Sequence, residues 1–109
     1  MEKETEQKIG QLQMFEQSLQ SFLGQKHQFQ VQLVEVDSAL NELEHTDKAY
    51  KIVGNIMVEG DRNELKTELK SRKEMLELRI KTMEKQESQV RERASKLQSE
   101  ILSKIKKEG

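Results

Sequence analysis

Few side chains in this sequence carry reactive chemistry. His27 and His45 are the only imidazoles, they lie well apart in the chain, and there is no cysteine. This removes thiol nucleophiles, thiolate metal sites and disulfides together, and two separated histidines make a poor ligand set. The many carboxylates could supply acid–base pairs, but Glu64, Glu68, Glu74, Glu77, Glu84 and Glu92 alternate with Lys and Arg at helical spacing. A solvated helical face accounts for that pattern better than a pocket does. No dinucleotide fingerprint, phosphate loop, His-Glu-x-x-His or calcium loop occurs. The chain is expected not to be an enzyme and to need neither cofactor nor metal. Lys104, Lys106 and Lys107 form the only short basic run. It suits a helix C-terminus, and without stacking aromatics it does not predict a nucleic-acid site.

The chemistry that remains is apolar adhesion, concentrated in two places. Near the two termini, Ile9, Leu12, Met14, Phe15, Leu97, Ile101, Leu102 and Ile105 supply more apolar surface than a two-helix seam can bury. Such a surplus predicts a binding patch, with seam packing the alternative reading for Leu12 and Leu97. Methionine adds a flexible, polarizable contact suited to varied partners. In the middle of the chain, Tyr50, Ile52, Val53, Ile56, Met57 and Val58 flank Gly54-Asn55. β-Branched and aromatic residues around Gly-Asn predict a two-residue hairpin with glycine first in the turn. An isolated hairpin with apolar residues on both faces is marginal in water, so other strands, from other subunits, are expected to cover it.

Two helical arms must position these patches. Apolar residues make up 33% of the 109 and charged residues 36%, with no proline and a net charge of −1. That is too little apolar surface for a compact core, but it suits long helices meeting along a narrow seam. In residues 1–45, Leu12, Phe15, Leu19, Phe22, Lys26, Phe29, Leu33, Val36, Leu40 and Leu43 follow alternating steps of three and four. In residues 62–109, Leu69, Lys73, Leu76, Ile80, Met83, Glu87, Val90, Ala94, Leu97 and Ile101 do the same. These are heptad seams, interrupted by Lys26, Lys73 and Glu87. Asp61 with Glu64 three residues on predicts a helix start at Arg62.

The first arm carries 3 Lys and Arg against 8 Asp and Glu, the second 14 against 9. Opposite net charges favour antiparallel pairing of the two arms, each about 60–70 Å long at ~1.5 Å per residue. The expected fold is mainly α: a long antiparallel two-helix coiled-coil hairpin, with residues 46–61 as a central β-hairpin, over one unit spanning 1–109. No apolar run of about 18 residues predicts a membrane span. The acidic N-terminal residues do not resemble a signal peptide, so a soluble, cytoplasmic protein is expected.

The segment Ala49-Tyr50-Lys51-Ile52-Val53-Gly54-Asn55-Ile56-Met57-Val58, then Glu64-Leu65-Lys66-Thr67-Glu68-Leu69 and Leu76-Glu77-Leu78-Arg79-Ile80, resembles β-class prefoldin subunits, the archaeal ones most closely. The resemblance covers essentially the whole chain, and one hairpin rather than two fits the β class. It implies an ATP-independent chaperone in which two α-class and four β-class subunits join their hairpins into an intersubunit β-barrel. Tyr50, Ile52, Val53, Ile56, Met57 and Val58 would build that barrel. Coiled-coil tips would grip non-native polypeptide and deliver it to a group II chaperonin, with Lys104, Lys106 and Lys107 as candidate chaperonin contacts. The alternative is a structural coiled-coil adaptor that binds one folded partner by helix addition.

Overall fold

The computed structural model describes residues 2–108. Four elements follow in order: helix α1 (Lys3–Glu44), strands β1 (Ala49–Val53) and β2 (Ile56–Gly60), and helix α2 (Arg62–Glu108). Without proline, neither helix meets a residue that lacks an amide hydrogen and clashes with the preceding turn. Gly10 and Gly24 fall on the outward side of α1, with open space around each.

All twenty seam positions read from the sequence are buried or half-buried. Among them Val36, Leu43, Leu76, Leu97 and Ile101 are the buried apolar side chains. The chain divides into two compact units, one of residues up to His27 and from Lys81 onward, the other Gln28–Ile80. In each unit two helical segments run antiparallel, and the second unit also holds the hairpin. In the first, Lys8 reaches Glu100 at 3.4 Å and Lys104 reaches Glu2 at 2.8 Å. In the second, Lys73 meets Asp37 at 2.8 Å, Lys66 pairs with Glu44, and the Arg79 guanidinium lies 5.6 Å from the centroid of the Phe29 ring. The negative arm thus meets the positive one in both units.

The junction between helix and hairpin is closed by local hydrogen bonds. α1 ends at Glu44, one residue before the expected His45, whose amide donates to the Glu42 carbonyl at 3.0 Å. The His45 ring nitrogen Nδ1 lies 2.8 Å from the Asn41 carbonyl, and Arg62 Nε donates to the Leu43 carbonyl at 2.6 Å. These contacts occupy carbonyls that a helix end leaves open. At the start of α2, Asp61 Oδ1 accepts from the amides of Asn63 (2.8 Å) and Glu64 (3.1 Å), the cap expected from the sequence.

β1 and β2 pair antiparallel from Ala49 with Gly60 to Val53 with Ile56. Gly54 has φ of 61°, and among the described residues no other has a positive φ. A left-handed first turn residue followed by an ordinary second one is the glycine-first hairpin turn. A Cβ on Gly60 would sit 3.1 Å from Leu65 Cδ1. The absent side chain is what lets the base of the hairpin close onto α2.

Candidate functional site

The hairpin leaves its apolar residues uncovered. Side chains alternate along a strand, so Tyr50, Ile52, Met57 and Glu59 share one face and Lys51, Val53, Ile56 and Val58 the other. The six apolar members are 42–69% exposed, Val58 least and Ile52 most. Only the base is fastened: Ala49 is buried, and Lys51 lies 3.9 Å from Glu68. The two-stranded sheet has an open backbone edge on each side, an arrangement that accepts further strands. Beneath the hairpin lies a groove of about 790 Å³, floored by Ala39, Leu43, Ala49, Leu65 and Leu69 and rimmed by Lys48, Lys51, Glu68 and Arg72. The sequence reading missed this groove, because Ala39 and Leu65 lie beside the seam and not in its frame.

The second apolar patch, near the termini, divides by helix face. Met14, Leu102 and Ile105 point outward, 66%, 53% and 44% exposed. Ile9, Leu12 and Phe15 are half-buried. Leu97 and Ile101 are buried, at 9% and 7%, because both belong to the α2 seam frame and turn toward α1. They form the floor of the patch and not its surface. Phe15 and Leu97 also line a shallow groove of about 180 Å³ with Gln11, Arg93, Lys96 and Glu100.

Sequence reading also passed over outward apolar residues elsewhere. Val34 and Leu78 are both 65% exposed, and Met75 is 53% exposed. They lie off the heptad frame, where a count of seam positions does not look.

Charge is arranged along the seam and not in a pocket. Hydrogen bonds from Arg91 and then Lys26 hold the Glu87 carboxyl below its ordinary range. The hydrogen bond with Lys66 does the same for Glu44, and that with Asp37 raises Lys73. The Glu44 and Lys73 shifts stem from ion pairs between the helices, and the Glu87 shift first from Arg91 on its own helix and then from Lys26 across the seam, an arrangement that serves structure. Among the described residues no group of three His, Cys, Asp or Glu is placed to hold a metal ion. No described helix is long and apolar enough to cross a membrane.

Comparison with known proteins agrees with this architecture. The prefoldin subunit family matches residues 6–108. Prefoldin subunit beta of Pyrobaculum calidifontis is 45% identical over 92 residues, 82% of this chain and 74% of that protein. Prefoldin subunit beta of Archaeoglobus fulgidus is 38% identical over 96 residues, 85% and 83% of the two chains. The crystal structure of the prefoldin beta subunit from Thermococcus strain KS-1 superposes with a TM-score of 0.87 at 32% identity, covering 94% of this chain and 92% of that one. Two long helices joined by a single exposed hairpin, together with these matches, place the chain in the prefoldin subunit family, among its β-class members. This is a family of chaperone subunits, and the helical coiled-coil architecture read from the heptads is that of its β class.

Proposed function

We propose that this chain works as an ATP-independent holdase subunit in the cytoplasm. It assembles through its β-hairpin with an α-class partner, in a hexamer of two α and four β chains, and captures non-native polypeptide at the ends of its helices. The captured chain then passes to a group II chaperonin. The observation that carries this reading is the exposure of Met14, Leu102 and Ile105 beside the ion pairs that bring the two helix ends together. Three outward apolar side chains among charged residues at the helix ends make a weak, undemanding contact for an unfolded chain. Several such ends held on one body bind together, and linked sites exceed single-site affinity by about 10²–10⁴. The hairpin supports the assembly half of the proposal, since six exposed apolar residues and two open edges need other strands to cover them. No nucleotide is required, because release follows from competition at the receiving chaperonin.

The test is light scattering from a chemically denatured client, without nucleotide, in the presence of the chain assembled with an α-class subunit. The unaltered complex is expected to suppress aggregation. A variant with Met14→Ser, Leu102→Ser and Ile105→Ser should assemble normally and lose that suppression. An intact complex that suppresses nothing, or a triple variant that suppresses equally well, would contradict the proposal.

A further inference from the structure

A nearly buried charge cluster in the seam draws its members from both helices. Lys26 Nζ donates to Glu87 Oε2 at 3.0 Å, and Arg91 donates to Glu87 Oε1 at 2.9 Å. The side chains of Lys26 and Glu87 are only 19% and 11% exposed. From Leu12 to Leu43 the other nine frame positions of α1 are apolar. A buried ion pair of this kind is poor evidence for stability, because desolvation offsets much of the attraction. Its better-attested use in coiled coils is to decide which helix pairs with which.

The sequence frames show what Lys26 decides. Were α1 to pair with α1 of a second copy in parallel, Lys26 would face Lys26. Antiparallel, it would find no acid in that seam at all. Without Lys26 this arm would have an unbroken apolar frame rich in Leu and Phe, well suited to self-association. The α2 frame offers one acid, Glu87, and no other position in it would serve. A displacement by one heptad puts Ile80 or Ala94 where Glu87 stands, and Leu19 or Leu33 where Lys26 stands. The hydrogen bond from Arg62 to the Leu43 carbonyl, which ties the end of one helix to the start of the other, already limits sliding within one chain, so the charge pair has partner choice as its remaining role.

We infer that Lys26 and Glu87 form a partner-selecting device: they direct α1 onto α2 of its own chain and exclude pairing of α1 with α1 of another copy. The inference does not depend on client binding, and its test does not measure it.

The absence of native cysteine allows clean spin labelling at two exposed positions, Gln20→Cys and Gln89→Cys, in the full chain. Labelled chains are diluted into excess unlabelled chains of the same background, so that only intrachain distances are read. The unaltered background is expected to give one short distance. With Lys26→Leu and Glu87→Leu the helical content should persist, while part of the short distance is lost to longer ones. Glu87→Lys alone should also lose the short distance, and adding Lys26→Glu with Arg91→Glu, which reverses the whole cluster, should restore it. An unchanged single distance in the Leu/Leu background would overturn the inference. So would failure of the reversed cluster to restore pairing. Loss of helix in the Leu/Leu background would overturn it too, since the charges would then be needed for folding and not for choice of partner.

Discussion

Ile52 and Met57 are cross-strand neighbours in the hairpin, and they remain 69% and 66% exposed. Replacing both with threonine keeps a side chain suited to strands while removing most of the apolar surface. Full burial of such a side chain contributes about 1.5–3 kcal/mol, so with two-thirds of each still uncovered, assembly stands to gain ~1–2 kcal/mol per residue. Losing both should weaken each subunit's association by ~2–4 kcal/mol, roughly 30-fold to several hundredfold. The isolated chain should lose almost nothing, because these side chains lie outside the seam. Sedimentation velocity of the variant mixed with an α-class subunit reads the first quantity, and thermal melting of the variant alone by circular dichroism reads the second. Assembly at unchanged concentration would refute the claim that these residues form the subunit interface. An early helix melt would refute the claim that the hairpin contributes little to the fold of the single chain.

Two further outcomes follow from the seam. Leu76 is 5% exposed, and Leu76→Ala should lower the stability of the helical pair by about 2–5 kcal/mol, read from chemical denaturation. Glu87 is held below its ordinary pKa of 4.5 by Arg91 and Lys26. A depressed carboxyl contributes stability above its unfolded value and loses it as pH falls through the folded one. The denaturation midpoint should therefore drop below pH 4.5, and Glu87→Gln, which cannot titrate, should flatten part of that fall.

The heptad frames made the fold legible because a narrow seam leaves little else to decide. A residue such as Val36 or Leu76 turns inward wherever the steps of three and four place it. The turn and the helix start were equally local: Gly54 had to take the left-handed conformation, and Asp61 had to cap the amides that follow it. What escaped the frame was reach. Lys26 reaches Glu87 with its long side chain, 3.0 Å from nitrogen to oxygen, a pairing that steps of three and four do not name. Arg62 similarly crosses to the Leu43 carbonyl, a contact set by how the hairpin returns the chain. The terminal patch was only partly legible. Its apolar excess was visible, but Leu97 and Ile101 already belonged to the seam frame, and that membership buries them. Met14, Leu102 and Ile105, which lie off the frame, are the outward part.

The most direct test of the account asks where an unfolded chain touches the assembled complex. A photo-crosslinking residue is placed singly at Leu102, at Met14 and, as a control, at Leu78, which at 65% matches Met14 and exceeds Leu102 in exposure but belongs to the unit that carries the hairpin. Each complex is mixed with a radiolabelled denatured client, without nucleotide, and irradiated. Client adducts are expected at Leu102 and Met14, with few at Leu78. Equal labelling at all three positions would mean that exposed apolar side chains are sticky wherever they occur, and that the helix ends are not the binding site.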